Sequence, residues 1–511
     1  MRRCQLCAWS VLAWVLIHGG VASSFAFPPL TRTEDSILNA VDAVFGDNMG
    51  YAVDVDGDTA IVSARFDWGP IGADLGSVYV FVRGMSGWTQ QAKIYASDPT
   101  IGDDLGHAVA LSGNTIAAAA SFLDGPAGTN QGAVYIFVRS GTTWTEQAKL
   151  LANDAMANDT FGFSVDLDGD VLVVGAPTDD GSQNDQGSVY VFVRIGTVWT
   201  QQAKLIANDP ANSDRLGSAV AIHGETLAAG APLKNGLAGS DQGAAYVFVR
   251  NGTVWLQQAK IIPNDAAASD NFGKAVSVFG ERIAVGAPGD NGTAGIDQGS
   301  VYVLRRNGTT WSQTDKLLSP DAASGDAFGT SVTMRDEGLL IGAPFADGPA
   351  GSNLGAGYLF VRRDVWSLGV KLLASDAAPE DRIGFSCGLD DTRAIVGVYG
   401  DILTDGASSA YLYEFGCLSD GGCIDGSACT CNRCVDFACQ STNVIFGNVD
   451  CAGIADVDDL ICCLQGFADL SACVNADLGP DCIPDGIVDL DDLLGVLQAY
   501  AGDDLCGCMR P

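Results

Sequence analysis

Short alternating or wholly apolar runs recur along most of the chain, separated by turn-forming residues. The clearest copy contains four such runs, at residues 161–165, 171–177, 186–193 and 199–205. Runs of this length that end at Gly, Asp or Asn are typical of β-strands joined by turns. The pattern therefore predicts a structural unit of four strands.

This unit recurs seven times, with a period of 55 or 56 residues. Each copy opens at a glycine, usually preceded by Phe or Leu, and in four copies a Gly-Ala-Pro segment follows 13 residues later. The repeat glycines are Gly50, Gly106, Gly162, Gly217, Gly273, Gly329 and Gly384. Repeated four-stranded units form blades around a channel, which leaves only short exposed sheet edges. We therefore predict an all-β, seven-bladed β-propeller over residues 36–416.

The ends of the repeat favour a closed ring over a solenoid. The strand that begins at tryptophan occurs six times and is missing after the seventh copy. Residues 36–42, however, are similar to residues 148–154, at the end of one such strand. We expect the N-terminal segment to supply the outer strand of blade seven.

The Phe-Gly and Gly-Ala-Pro spacing resembles that of FG-GAP repeats, which build the propellers of integrin α-chains and of many bacterial surface proteins. The resemblance implies extracellular adhesion or protein binding on the propeller faces. Integrin-type propellers also carry calcium loops of the form Asp-x-Asp-x-Asp-Gly. Here the corresponding hairpins shorten to residues 54–58 and 166–170, which we interpret as tight type I′-like turns. No calcium is expected in the blades.

Two further features recur with the period. An aspartate pair five residues apart precedes each repeat glycine: Asp42/Asp47, Asp98/Asp103, Asp154/Asp159, Asp209/Asp214, Asp265/Asp270, Asp321/Asp326 and Asp376/Asp381. We predict that these carboxylates accept backbone N–H bonds between blades; a ring of weak cation sites is the alternative. The tryptophans and tyrosines are predicted to pack between blades rather than to form a carbohydrate-stacking platform.

The N-terminal residues suggest an exported protein, and the net charge disfavours nucleic acid as a partner. Residues 1–26 have the layout of a signal peptide cleaved near Ala26, followed by a linker at 27–35. The apolar run is too short for a transmembrane segment, and none is predicted elsewhere, so we expect an extracellular, cell-surface or periplasmic location. The net charge of −35 would repel nucleic acid.

Cysteines are concentrated near the C-terminus. Of 16, 13 lie from Cys417 onward and only Cys387 lies in the propeller. Because 14 would remain after signal cleavage in an oxidising environment, we predict disulfides, including a bridge from Cys387 to the tail. The segment 417–440 is predicted to be disulfide-rich, with a zinc knuckle as the alternative.

Two segments of the acidic tail resemble EF-hand calcium loops, although each lacks one side-chain ligand. The predicted ligands of the first loop are Asn448, Asp450, Ile454 through its carbonyl, Asp456 and Asp459. Those of the second loop are Asp481, Asp485, Ile487 through its carbonyl, Asp489 and Asp492. The predicted cofactor is Ca²⁺. Acidic turns that cap two helices without metal are the alternative.

Each loop leads into an apolar helical segment, and the spacing resembles that of a type I dockerin. We therefore predict a small α-helical, dockerin-like domain over residues 441–511. The resemblance implies docking to a cohesin-like partner. Residues 457–458 and 490–491 differ from the hydroxyl pairs of cellulosomal dockerins, so a cellulosome is not implied.

These features favour a secreted binding or adhesion protein for an extracellular protein or glycan. No catalytic residue is predicted, because the few histidines occupy non-equivalent repeat positions. The alternatives are an exported polysaccharide-acting enzyme with carboxylates in the channel, and a structural coat component. Asn251, Asn291 and Asn307 begin Asn-Gly-Thr acceptors for glycosylation.

Overall fold

A computed structural model describes residues 31–415, apart from 43, 45, 69–71, 73, 349, 364 and 400–408, together with two short strands at 431–435 and 438–441. The described part is all-β and contains no helix. No helix that could span a membrane therefore occurs among these residues. The predicted signal peptide and calcium loops lie outside them.

Seven sheets form the propeller, and each is built mainly from hairpin-connected strands. Two N-terminal strands, β1 (Thr31–Thr33) and β2 (Ser36–Leu38), precede blade one. Blade one comprises β3 (Met49–Asp56), β4 (Thr59–Ala64), β5 (Ser77–Gly84) and β6 (Gly87–Ile94). Blade two comprises β7 (Val109–Ser112), β8 (Thr115–Ala120), β9 (Ala133–Ser140) and β10 (Thr143–Leu150). Blade three comprises β11 (Ser164–Asp168), β12 (Val171–Ala176), β13 (Ser188–Ile195) and β14 (Val198–Leu205).

Blades four to six follow the same order from the inner to the outer strand. Blade four comprises β15 (Ala219–His223), β16 (Thr226–Ala231), β17 (Ala244–Asn251) and β18 (Val254–Ile261). Blade five comprises β19 (Ala275–Phe279), β20 (Arg282–Ala287), β21 (Ser300–Asn307) and β22 (Thr310–Leu317). Blade six comprises β23 (Ser331–Arg335), β24 (Gly338–Ala343), β25 (Ala356–Arg362) and β26 (Trp366–Leu373).

Blade seven closes the ring with chain from both ends of the propeller. It contains β27 (Cys387–Leu389), β28 (Arg393–Gly397) and β29 (Ala410–Glu414), and β2 pairs antiparallel with β29 as its outer strand. This is the closure that the sequence predicts. In addition, β1 pairs parallel with β26 and gives blade six a fifth strand. The segment predicted to be a linker thus contributes a strand. Beyond the propeller, β30 (Cys431–Val435) and β31 (Ala438–Ser441) pair antiparallel.

The hydrophobic core lies between neighbouring blades rather than within each sheet. One cluster joins Ile136 of blade two to Val174 and Phe192 of blade three, and six similar clusters complete the ring. The glycines of the Gly-Ala-Pro segments allow this close packing. A Cβ added to Gly230 of a Gly-Ala-Pro segment would lie 1.8 Å from the carbonyl oxygen of Gly273 in the next blade.

The tight hairpins differ from prediction in turn type. In the turn from β3 to β4, Gly57 has a φ of +56°, whereas Asp58 is not among the residues with positive φ. The turn from β11 to β12 repeats the pattern, with a φ of +59° at Gly169. One positive φ at the first central residue is the type II′ pattern, whereas type I′ requires two. Glycine stands first in the turn here, rather than second as in an Asp-Gly type I′ turn.

Candidate functional site

The first aspartate of each recurrent pair is held by side chains, not by backbone N–H groups as predicted. In every blade it accepts a hydrogen bond from a tyrosine hydroxyl at 2.7–3.1 Å. In six blades it also pairs with a lysine at 2.6–2.8 Å, whereas in blade seven Ile37 aligns with the lysine position. The pairs are Tyr79–Asp42, Tyr135–Asp98, Tyr190–Asp154, Tyr246–Asp209, Tyr302–Asp265, Tyr358–Asp321 and Tyr411–Asp376.

The second aspartate of each pair does accept a backbone N–H bond, from the residue three positions earlier. The seven distances lie between 2.6 and 2.8 Å. This part of the prediction is confirmed. The aspartates therefore form a scaffold that connects each blade to the turn before it. Within the described ranges, no group of three or more His, Cys, Asp or Glu residues is arranged to hold a metal ion.

The tryptophans pack between blades, as predicted. The Trp199 indole N–H donates to Oε1 of Gln147 in the preceding blade at 3.0 Å, and Trp88, Trp144, Trp255 and Trp311 make equivalent contacts with their preceding blades. The guanidinium of Arg194 also lies over the Trp199 ring, 5.1 Å from its centroid. These tryptophans are therefore structural.

The central channel contains a cavity of about 290 Å³, lined by the inner strands of all seven blades. Asp54 and Asp166 lie in its wall. Oδ2 of Asp54 accepts the Leu111 N–H at 2.7 Å, and Oδ2 of Asp166 accepts the Ile222 N–H at 2.7 Å. Each carboxylate thus ties its blade to the next.

Burial raises the pKa of Asp54 to about 7 and that of Asp166 to about 6, despite these hydrogen bonds. Both residues are only partly buried and line the channel cavity. Each carboxylate uses both of its oxygens as hydrogen-bond acceptors, because the adjacent backbone N–H groups, of Val55 and Leu167, donate to Oδ1. The channel carboxylates therefore hold blades together.

At the end of the channel opposite the tight inner hairpins, the repeat is not uniform. The residue directly after each repeat glycine stands where the inner strand begins, and its identity changes from blade to blade. We call these seven residues the channel mouth: Tyr51, His107, Phe163, Ser218, Lys274, Thr330 and Phe385. Four consecutive blades, from seven through three, contribute aromatic rings, and the other three contribute polar side chains.

The aromatic side of the mouth is a continuous arc. The Tyr51 ring lies 5.3 Å from Phe385 and 5.5 Å from His107, and His107 lies 4.9 Å from Phe163 between ring centroids. Tyr399 stacks on Phe385 at 4.5 Å. Apart from His107, these rings are only partly buried, so the arc keeps exposed aromatic surface.

His107 is buried beneath this arc, and its side chain is 93 % shielded from solvent. Burial, with smaller contributions from the positive charges of Arg65 and Lys274, lowers the pKa of His107 to about 3, so the imidazole is neutral. Its Nδ1 has no hydrogen-bond partner among the described residues. Since the His107 ring of blade two contacts Tyr51 of blade one and Phe163 of blade three, mouth side chains of neighbouring blades meet at this end of the channel.

Three cationic side chains lie around the mouth, and they differ in whether a carboxylate pairs with them. The Arg65 guanidinium pairs with Asp104 at 2.9 Å and lies 4.7 Å from the Tyr51 ring centroid, so Arg65 is part of the aromatic wall. Within the described structure, Lys274 and Arg215 make no ion pair or side-chain hydrogen bond. Desolvation lowers the pKa of Lys274, and the nearby charge of Arg215 lowers it further.

Arg215 occupies a strained backbone position. It lies two residues before a repeat glycine, where all seven copies have a φ between +52° and +57°, and its own φ is +57°. Asn and Asp adopt this conformation most readily among non-glycine residues, and they are found there as Asn48, Asp104 and Asn271. Thr160, Ala327 and Arg382 share it, so the fold sets this conformation, and Arg215 adopts it at a higher cost than Asn would.

The sequence-based predictions did not include the channel mouth, because they rested on the residues that recur in every copy of the repeat. The sequence did contain a signal, in the form of variation. The residue two positions before each repeat glycine and the residue directly after it change from blade to blade, whereas the glycine itself is invariant.

The predicted calcium ligands Asn448 to Asp459 and Asp481 to Asp492 lie outside the described residues, as do the partner cysteines for Cys387. Within the described structure, Cys387 is a free thiol. Its Sγ lies 3.6 Å from Oγ1 of Thr333 and 3.8 Å from the Leu340 carbonyl oxygen, between blades six and seven. Burial raises its pKa to about 11, so the thiol is protonated at neutral pH. Its bridge to the tail stays a prediction.

Comparison with known families gives a match to the FG-GAP repeat over residues 33–81, 88–137, 144–192, 199–248, 255–304, 311–360 and 366–413. These segments cover more than half of the chain, and the protein belongs to the FG-GAP repeat family. The first match includes β2, so the family unit starts with the outer strand of one blade and ends in the third strand of the next. No curated protein matches the chain.

Proposed function

We propose that this protein is an exported, non-catalytic binding protein that holds an extracellular protein or glycan at the channel mouth. The observation that carries the proposal is the variation of the mouth inside a uniform scaffold. Structural positions repeat in nearly every blade, as the seven Tyr–Asp pairs do. A binding site on a ring instead needs different residues in different blades.

The chemistry of the mouth favours binding over catalysis. Partly exposed rings with a few polar groups are typical of ligand sites. The channel carboxylates that a hydrolytic enzyme could use, Asp54 and Asp166, accept backbone hydrogen bonds on both oxygens. We therefore assign no catalytic residue.

The test compares a mouth variant with a matched surface variant. Phe163→Ser introduces the residue that blade four has at this position, Ser218, so the backbone should accept it. Ile195→Ser makes the same kind of change on an outer hairpin, where the side chain is 81 % exposed. Both proteins would be applied to a glycan array and to proteins from the surface of the producing cell.

We expect Phe163→Ser to lose most binding and Ile195→Ser to retain it. Equal binding by both variants and the unmodified protein would exclude the mouth as the site. Hydrolysis of an array glycan by the unmodified protein would contradict the non-catalytic assignment.

The calcium-ordered tail completes the proposal as a docking module that attaches the propeller to a surface or assembly through a cohesin-like partner. Calorimetric titration with Ca²⁺ should detect binding that is lost when Asp459 and Asp492 are both replaced by Ala. Asp436→Ala, which removes an acidic residue outside both loops, serves as the control. If chelation leaves the thermal stability of the protein unchanged, the docking module is wrong. Export would be tested by N-terminal sequencing, which should find Phe27 first.

A further inference from the structure

We infer that the ligand of the channel mouth is an acidic carbohydrate, whose carboxylate lies between Lys274 and Arg215 and whose sugar ring packs on the aromatic arc. The inference rests on the proposed function and specifies the chemical class of its ligand. It is supported by the charge at the mouth, by the lack of intramolecular partners for Arg215 in the described structure and by the shape of the exposed surface.

The charge at the mouth is opposite to that of the protein. The chain has a net charge of −35, yet Lys274 and Arg215 place two positive charges at the mouth. Both residues are exposed and lie just before the inner strands of the adjacent blades five and four, with no carboxylate paired to either in the described structure. Two unpaired like charges disfavour each other, and the depressed pKa of Lys274 reflects this interaction together with desolvation. A bound carboxylate would relieve both costs through charge-assisted hydrogen bonds.

A comparison of two arginines at equivalent repeat positions gives a further indication. Arg215 has a φ of +57°, and all seven copies share this left-handed conformation, including Thr160 and Ala327. The fold therefore sets the conformation, and what distinguishes Arg215 is its set of contacts. Arg382 has a φ of +55° at the equivalent position, but its guanidinium lies over the Phe345 and Tyr399 rings and pairs with Glu380. Arg215 has the same backbone conformation without these contacts, so its guanidinium remains available to a ligand.

The neighbouring surface selects a sugar among anionic ligands. The partly exposed Tyr51 and Phe385 rings lie 5.3 Å apart, and the partly exposed Phe163 ring continues the arc on the other side of His107. A pyranose presents an apolar C–H face that covers such a ring, and in a uronic acid the carboxylate lies at the edge of the same rigid unit.

The experiment uses the full secreted protein and an array of carboxylate-bearing oligosaccharides, each printed beside its methyl ester. The ester keeps the sugar and removes the charge. We expect the acid form to bind at least about tenfold more tightly than the ester, the size of effect that one charged hydrogen bond provides. Binding should weaken as salt screens the charges.

Three variants assign the effect to residues. Lys274→Thr introduces the residue of blade six and Arg215→Asn that of blade five, so both should fold, and each should weaken binding of the acid by about tenfold. Arg305→Gln removes one positive charge from an exposed position at the far end of β21 and should leave affinity unchanged.

The outcomes separate this inference from the proposed function. Equal binding of acid and ester, lost in Phe163→Ser, would overturn the acidic class and leave a neutral glycan site. Binding of hexaglutamate, but of no saccharide, with dependence on Lys274 would replace the sugar by an acidic peptide. Binding of no printed saccharide, with unchanged capture of surface proteins by Phe163→Ser, would overturn both.

Discussion

Asp154 and Asp159 lie five residues apart in the connection between blades two and three, and the fold shifts the pKa values of their carboxyl groups in opposite directions. Desolvation acts on both. At Asp154 it is outweighed by hydrogen bonds from Lys204 and Tyr190, which lower the pKa. At Asp159 desolvation dominates, and the pKa rises to about 6. The same recurrent motif thus contains one carboxylate that stabilises the native state at neutral pH and one that destabilises it.

The first prediction is that Asp154→Asn destabilises the protein at pH 7. Because the native pKa of Asp154 is lowered, its contribution is present above the unfolded pKa near 3.9 and is lost as pH falls through the native pKa. The side chain is half exposed, so the loss should be about 0.5–1 kcal/mol. Urea unfolding at pH 7 and pH 3 would measure it. A cost that is equal at both pH values would contradict the ion-pair explanation.

The second prediction is that Asp159→Asn stabilises the protein at pH 7, by about 1–2 kcal/mol. Asparagine keeps an oxygen to accept the Met156 N–H bond but removes a charge from a side chain that is 98 % buried. Because the native pKa is raised, the unmodified protein gains stability as pH falls from 7 towards 4. The advantage of the variant should therefore shrink over that interval. Unfolding midpoints at pH 7 and pH 4.5 measure the difference, and an advantage that grows with acidity would refute it.

The third prediction concerns ring closure. Removal of residues 31–38 would delete β1 and β2 and leave β29 as an open edge. It would also remove Leu38, which is 2 % exposed and belongs to the hydrophobic cluster beside that edge. Open apolar edges pair with other chains, so we expect a lower melting temperature and concentration-dependent association by light scattering. Glu34→Gln, which changes charge in the same segment but keeps both strands, is the control. A monomer of unchanged stability would show that blade seven does not need β2.

The fourth prediction is that Arg215→Asn stabilises the propeller while it weakens binding. Asparagine relieves a left-handed conformation at a cost difference of roughly 1 kcal/mol and removes repulsion from Lys274. Arg305→Gln, on a strand with ordinary φ, should leave the melting temperature unchanged. A lower melting temperature for Arg215→Asn would mean that Arg215 has a structural role.

Several features followed from the sequence with their correct register. The seven copies, the four strands in each and the outer strand supplied by residues 36–38 were all predicted from periodic apolar runs and glycines. The backbone bonds to the second aspartates were also predicted. These features depend on local preferences and on a period, both of which a sequence contains directly.

Other features required contacts between distant residues. Nothing near Asp154 indicates that Tyr190 and Lys204, 36 and 50 positions away, would supply its partners. The type II′ form of the hairpins depended on which side of the turn the glycine occupies once the strands pair.

By itself, the sequence determined the fold of this protein, because a ring of blades is specified by one short unit and its repetition. Only the tertiary structure decided where a ligand could bind. Tyr51, His107, Phe163, Lys274 and Phe385 are scattered over more than 330 residues, and each looks like a tolerated exception within its own copy. They become one surface because radial symmetry brings equivalent positions of all seven blades to the same axis.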